Sequence, residues 1–272
     1  MTPRQAQADW SAVLKEILVA AGILLAWVAV STVVLLFPPV PGALVASTVT
    51  VLPVIVHVWR PHRRQAWDQL SQLNVRRLPG SWRWIGVVAL TGVWAISLNV
   101  IYDQLLPLAD PPLDPFAEYA ERGGWIAVAI LTVGLAPLIE EFVFRGWIQG
   151  ALQRVTSPPT AIFISAVLFA LPHLRPDGLP LYVAMGAVCG WAVWKTGSIW
   201  AGVVLHAAYN GALLLASAAQ QRGIAGLSLE MQLSPTAIVL ISLAGVCSLA
   251  GVVVLLRREP GVVGADHEVR GS

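Results

Sequence analysis

Long runs of apolar residues without any charge recur along this chain of 272 residues. The first of them, residues 17–37, is long enough to cross a bilayer, which takes about 20 apolar residues in a helix. Hydrophobic residues make up 57% of the chain and charged residues 12%, whereas a soluble domain carries about 45–50% and about 25%. Too little polar surface remains for a soluble domain, so the sequence predicts an all-α, polytopic membrane protein.

About eight segments have the length and apolarity of membrane-spanning helices. Two are weaker candidates, since residues 40–59 include a proline with several Ser and Thr, and residues 160–172 are short. The predicted spans are residues 17–37, 40–59, 84–102, 125–153, 160–172, 179–194, 199–217 and 235–256. We expect these helices to form a single transmembrane domain over residues 1–258, followed by a disordered cytoplasmic tail over residues 259–272.

The basic residues predict how these spans are oriented, because cytoplasmic loops are enriched in Lys and Arg. With the N-terminus inside, the outer loops contain only Arg122, Arg175 and Arg222 of the 17 basic residues. We therefore expect a multi-pass protein of the cell (inner) membrane with both termini in the cytoplasm. The net charge of +2 is too small to suggest a nucleic-acid partner. The loop over residues 60–83 is either an amphipathic helix on the inner leaflet or a solvated loop.

Ionisable side chains occur inside three of the predicted spans. Each costs roughly 2.5–3.5 kcal/mol at the centre of a membrane helix, so each predicts a functional site. The polar residues concerned are Glu140, Glu141 and Arg145 in the fourth span, His173 at the end of the fifth, and His206 and Asn210 in the seventh. Glu141 and Arg145 are four residues apart and share a helix face, as do His206 and Asn210. A Glu141–Arg145 ion pair would leave Glu140 as the free carboxylate.

The fourth and fifth spans form a predicted hairpin that turns near residues 156–159. Glu140 precedes Gln153 by as many residues as His173 follows Thr160, so both lie about 20 Å above the turn and can meet at one depth. A purely structural ionic cluster is the competing interpretation. It is disfavoured because small residues suffice to pack membrane helices, and the chain already has the pairs Gly146–Gly150 and Gly186–Gly190.

The ordered set of motifs resembles a known family. Residues 140–145 read Glu-Glu-x-x-x-Arg, residues 169–173 read Phe-x-x-x-His, and residues 206–210 read His-x-x-x-Asn. They resemble, in the same order, the three signatures of the CPBP family of intramembrane proteases (CAAX protease and bacteriocin-processing, or Abi), which includes type II CAAX prenyl endopeptidases. The resemblance covers about residues 125–215 and implies about eight helices that enclose an intramembrane catalytic cavity.

The resemblance also implies roles for the site residues. Glu140 would be the general base, with Glu141 beside it and His173 helping to activate water, while His206 and Asn210 would stabilise the oxyanion. Arg145 and Phe169 would support this set. A carboxylate in an apolar cavity is a competent base near neutral pH, and one oxyanion donor in a dry site contributes roughly 2.7–4 kcal/mol.

Two alternatives stay open. Glu140, His173 and His206 could instead hold a zinc ion and its hydroxide, although the helical zinc motif His-Glu-x-x-His is absent from the sequence; the expected cofactor is therefore none or Zn²⁺. A membrane transporter or scaffold with a structural polar cluster is the alternative of another class, although no inverted repeat favours a transporter. The expected partners are the lipid bilayer and a membrane-associated protein or peptide substrate, whose identity and prenylation stay open, as does the oligomeric state.

Overall fold

The helices of this protein are described by a computed structural model that covers residues 10–34, 82–105, 120, 124–173, 176–223 and 233–257. In this part of the chain every regular element is a helix, which confirms the all-α prediction. The helices are α1 (Trp10–Val34), α2 (Arg83–Leu105), α3 (Gly124–Leu152), α4 (Pro158–Ala170), α5 (Leu179–Thr196), α6 (Ile199–Gln221) and α7 (Pro235–Arg257).

Four of the described helices are long and apolar enough to cross a membrane, namely α2, α3, α6 and α7, and α4 with its terminal turn forms a shorter apolar helix over Pro158–His173. A multi-pass membrane protein is thereby confirmed. The count of about eight spans stays a prediction. The predicted span over residues 40–59 lies outside the described residues, as do most of the loop over residues 60–83 and the tail over residues 259–272. The cytoplasmic placement of the termini also stays a prediction.

The helix that carries the two glutamates is irregular. In α3 the π-helical segments Ile130–Leu135 and Phe142–Gln149 flank an α-helical segment, Ala136–Glu141. Pro137 lies in the first turn of that middle segment, and proline removes the backbone N–H that would bond to the preceding turn. A π turn shifts the direction of the side chains that follow it and is frequent at functional sites. The two glutamates thus lie between two changes of helical register.

The helix that precedes His173 has clear start and stop signals. The Ser157 side chain caps its first turn by accepting a hydrogen bond from the backbone N–H of Thr160, with prolines at the first helical positions. The α-helix ends at Ala170 and continues as the 3₁₀ turn Leu171–His173, because Pro172 has no backbone N–H with which to continue the α-helical hydrogen bonds. His173 therefore stands beyond the end of α4, on a turn of tighter geometry.

Small residues bring the helices around the site close together. A Cβ atom added to Gly186 on α5 would lie 3.1 Å from the Cα atom of Ala166 on α4, so glycine is what allows these two backbones to approach. The expectation that the Gly186–Gly190 pair serves close packing is confirmed here. Helix α6 packs against α2 and α5, and α7 packs mainly on α2. Helices α3, α4, α5 and α6 consequently surround the motif residues.

Candidate active site

Glu141 is the centre of a buried ionic cluster. Its Oε1 atom lies 2.9 Å from Nη1 of Arg145, and neither side chain has any exposed surface. The same oxygen lies 3.0 Å from Nδ1 of His206, which comes from α6. The predicted Glu141–Arg145 ion pair is therefore confirmed, and the structure adds His206 as a second partner that the sequence did not assign to Glu141.

Glu140 is held more loosely than its neighbour. Its Oε2 atom lies 3.7 Å from Nε2 of His206, which is longer than a hydrogen bond. Its side chain keeps 8% of its surface exposed, compared with none for Glu141. The imidazole of His206 thus lies between two consecutive carboxylates, with one ring nitrogen towards each. Glu140 is the carboxylate that Arg145 does not neutralise.

The cluster brings two carboxylates together with one guanidinium. A buried charge is costly unless it is paired, and the pairing in this cluster is centred on Glu141. Because Nδ1–H of His206 donates to Glu141, the Nε2 atom of the same ring is the one that faces Glu140.

Arg145 and Gln149 attach α3 to α5. The Nη2 atom of Arg145 donates to the carbonyl oxygen of Gly186 at 3.0 Å, and Nε2 of Gln149 donates to that of Gly190 at 3.0 Å. The two donors are one helical turn apart on α3, and the two acceptors are one helical turn apart on α5. Sequence reasoning missed Gln149, although its position four residues after Arg145 places it on the same helix face.

His173 has one ring nitrogen committed to the backbone. Its Nδ1 lies 3.0 Å from the carbonyl oxygen of Phe169, which is available because α4 ends there. A neutral His173 therefore carries its proton on Nδ1 and keeps a free lone pair on Nε2. Both Glu140 and His206 lie near enough to act on His173 electrostatically.

The ring of Phe169 contacts three residues of the motifs, His173, His206 and Arg145. Its ring centroid is 4.9 Å from that of His173 and 5.6 Å from that of His206. The guanidinium carbon of Arg145 stands 4.5 Å from the same ring, a cation–π distance. The second and third motifs therefore meet around Phe169, together with the arginine of the first.

Asn210 bonds to the irregular part of α3. Its Nδ2 donates to the carbonyl oxygen of Thr132 at 2.8 Å, within the first π-helical segment. An asparagine amide has two N–H donors, so one N–H remains for another acceptor. Its expected role as an oxyanion donor stays a prediction.

Two small residues that the sequence did not single out shape the cluster. A Cβ atom on Gly202 would lie 2.5 Å from Oε2 of Glu141, so only glycine lets this carboxylate lie against α6. The Ser165 hydroxyl of α4 donates to the carbonyl oxygen of Phe144 on α3 at 2.9 Å. Neither residue belongs to a motif, and their contacts join segments that are far apart in the chain.

The expected zinc ligands do not form a metal centre in this arrangement. Within the part of the chain that the structure describes, no three His, Cys, Asp or Glu side chains converge as a ligand set. Both ring nitrogens of His206 face carboxylates, and Nδ1 of His173 faces a backbone carbonyl. A catalytic zinc site needs three convergent protein ligands, and the zinc alternative for Glu140, His173 and His206 stays a prediction.

The chain is similar to known membrane peptidases. Residues 122–212 match the family model described as "Type II CAAX prenyl endopeptidase Rce1-like". The chain is 30% identical to "Membrane-embedded CAAX protease MroQ" of Staphylococcus aureus over 143 residues, which are 49% of this chain and 56% of MroQ. It is 36% identical to "Putative membrane peptidase YdiL" of Bacillus subtilis over 76 residues, 28% of this chain and 31% of YdiL. No solved structure matches it.

The fold and the buried cluster define a multi-pass membrane protein with acid–base residues at its interior. The family model and both relatives are membrane CAAX-type proteases or peptidases, and they support the predicted resemblance of the motif-bearing region to the CPBP family. The matches span about a third of YdiL and about half of MroQ.

Proposed function

We propose that this protein is an intramembrane endopeptidase in which Glu140 activates the attacking water. The observation that carries the proposal is the unequal state of the two carboxylates. Glu141 is bound by Arg145 and by Nδ1 of His206, whereas Glu140 lies 3.7 Å from Nε2 of the same imidazole. A base must be able to take up a proton and release it, and the looser contact of Glu140 makes it the better candidate of the two carboxylates.

The reaction follows from these positions. Glu140, assisted by the Nε2 lone pair of His173, takes a proton from water while the water oxygen forms a bond to the carbonyl carbon. The C–N bond then breaks, and the proton held by Glu140 passes to the leaving amine. The negative charge that develops on the carbonyl oxygen is stabilised by protonated Nε2 of His206 and by the second amide N–H of Asn210.

Glu141 and Arg145 have a supporting role in this scheme. The Glu141 carboxylate fixes the orientation of the His206 ring, much as an acidic residue orients a catalytic histidine in other hydrolases. Arg145 pairs with Glu141 and is itself anchored to the Gly186 carbonyl. The cationic stack of Arg145 on Phe169 places that ring between His173 and His206.

The substrate we propose is a membrane-associated protein or peptide, since the site residues lie on apolar helices. The name of MroQ, a CAAX protease, makes a C-terminal CAAX-type sequence the first class to test. Purified protein in detergent would be incubated with one such peptide in farnesylated and unmodified forms. In parallel, the membrane proteomes of cells with the wild-type protein and the Glu140→Gln variant would be compared.

Glu140→Gln keeps the size of the side chain and removes the base, so we expect cleavage to fall by at least about 10³-fold while the thermal unfolding midpoint in detergent stays close to that of the wild type. The matched control is Glu16→Gln, which removes a carboxylate paired with Arg154 at 3.0 Å outside the site and should retain cleavage. Full proteolysis by Glu140→Gln would refute the proposal and favour a transport or scaffold role for the cluster. One zinc ion per active chain, lost in His173→Ala and His206→Ala, would replace glutamate-activated water with a zinc-bound hydroxide.

A further inference from the structure

The ring of His173 is packed between two aromatic rings. Phe169 lies on one side at 4.9 Å and an interplanar angle of 57°. Tyr182, from the first turns of α5, stacks at 4.0 Å and 25°, which is a close and nearly parallel contact between ring centroids. His173 stands on a 3₁₀ turn beyond the end of α4 and is half-buried.

The Tyr182 ring packs closely against Gly178. A Cβ atom added to Gly178 would lie 2.7 Å from Cε2 and 3.3 Å from Cζ of Tyr182. The backbone of Gly178 has φ −92° and ψ −5°, which any residue can adopt. The space that the Tyr182 ring occupies, and not the backbone conformation, is therefore what requires glycine at this position.

The turn that carries Gly178 is attached to α2. The hydroxyl of Tyr102 donates to the carbonyl oxygen of Asp177, in the 3₁₀ turn Pro176–Gly178. A series of contacts thus runs from α2 through this turn and the Tyr182 ring to the imidazole of His173. No member of the series except His173 belongs to a motif.

We propose that Tyr182 is a positioning residue that holds the His173 imidazole in its reactive orientation, and that Gly178 exists to admit the Tyr182 ring. The hydrogen bond from Nδ1 to the Phe169 carbonyl fixes one point of the ring, and a single bond leaves the plane free to rotate about it. The Tyr182 stack fixes that plane and so aims Nε2 into the site. This inference rests on the proposed function, in which His173 helps to activate water.

The test uses a chemical probe that needs no substrate. Diethyl pyrocarbonate acylates the free nitrogen of a neutral imidazole, and mass spectrometry gives the modification rate at His173 in the full chain in detergent. Tyr182→Leu keeps an apolar side chain but loses the stack, so we expect roughly a two- to tenfold faster modification of His173, the size of an aromatic pair's contribution. Tyr182→Phe keeps the ring and should restore the wild-type rate.

Gly178→Ala tests the same idea without substituting either Tyr182 or His173. Its Cβ atom should displace Tyr182 and accelerate modification of His173, but it should have no further effect in the Tyr182→Leu background, where the ring is gone. Gly22→Ala is the control, since a Cβ atom there meets nothing within 4 Å. Wild-type modification rates in Tyr182→Leu, or additive effects of the two substitutions, would overturn the proposal.

Kinetics separate this inference from the proposed function. With the farnesylated CAAX-type peptide, Tyr182→Leu should lower kcat by about tenfold and leave KM unchanged, because the stack orients a reacting group and does not bind substrate. An unchanged kcat would count against positioning while leaving the protease assignment intact. If the wild type does not cleave the peptide, or if Glu140→Gln cleaves it fully, the proposed protease function is refuted instead. The modification rates of His173 then still decide whether Tyr182 fixes the orientation of its ring.

Discussion

Helices α6 and α7 are both 23 residues long, yet they differ in an unexpected direction. The mean hydropathy of α7 is 2.7 and that of α6 is 1.5. In the apolar 18-residue stretch of each helix, however, 17% is buried inside the protein for α7 and 44% for α6. In water the more apolar helix would lie inside. In a membrane the lipid accepts apolar side chains, so the less apolar helix occupies the interior.

The two helices also direct their polar side chains differently. On α6, His206 bonds to Glu141 and Asn210 to the Thr132 carbonyl, both on α3. On α7, Ser242 and Ser248 each bond to a carbonyl of their own helix, four residues earlier. On these two helices, the polar residues of the candidate site are the ones whose partners lie on another helix.

The largest effect should come from breaking the cluster that α6 completes. Arg145→Ala leaves the fully buried Glu141 without its guanidinium, which we expect to lower the free energy of unfolding by about 3–5 kcal/mol. Arg257→Ala is the matched control at the exposed end of α7 and should leave stability unchanged. Unfolding in mixed micelles, followed by circular dichroism, measures both.

A second substitution decides whether the cause is the unpaired carboxylate. Glu141→Gln in the Arg145→Ala background removes the uncompensated charge, so the double variant should be more stable than Arg145→Ala alone. Strictly additive losses in the double-mutant cycle would mean that the two side chains do not interact, contrary to the 2.9 Å contact.

A smaller effect should distinguish two glycines, one on each helix. The new Cβ atom of Gly202→Ala on α6 would lie 2.5 Å from Oε2 of Glu141, whose carboxylate is held in an ion pair. The new Cβ atom of Gly251→Ala on α7 would lie 2.7 Å from Cδ1 of Leu90, which is the end of a flexible side chain. We expect Gly202→Ala to cost about 1–3 kcal/mol and Gly251→Ala clearly less.

Thermal unfolding in detergent gives the order of the two glycine variants, and cleavage assays add a second measure. Gly202→Ala should also reduce activity, because a displaced Glu141 no longer orients His206. Equal losses of stability in both variants would show that close helix packing, and not the ionic cluster, sets the requirement for glycine on α6.

The smallest effect should separate hydrogen bonds between helices from those within one. Ser165→Ala removes the bond from α4 to the Phe144 carbonyl on α3 and should cost about 0.5–1 kcal/mol, the usual worth of such bonds in membranes. Ser248→Ala removes a bond within α7 and should change stability by less than about 0.5 kcal/mol. Thermal unfolding of both variants under identical conditions checks the order, and a larger loss for Ser248→Ala would reverse the comparison.

The sequence located most of the described helices to within a few residues. The predicted spans at residues 84–102, 179–194, 199–217 and 235–256 correspond to α2, α5, α6 and α7. Apolar length is a local property that the bilayer thickness imposes, so the residues alone display it. The break of α3 into π-helical segments was not predicted, because it depends on contacts with neighbouring helices. Asn210 and Ser165, for example, donate hydrogen bonds to backbone carbonyls of α3.

The sequence by itself determined the solvent, the helical class, the motif residues and the Glu141–Arg145 pair, since each follows from composition or from spacing within one helix. Only the tertiary structure decided which groups from different helices meet. It placed His206 between the two glutamates and Tyr182 against His173, and it made Gly202 and Gly178 necessary. The physical reason is that such contacts depend on the rotation and approach of packed helices, to which residues far apart in the chain contribute together.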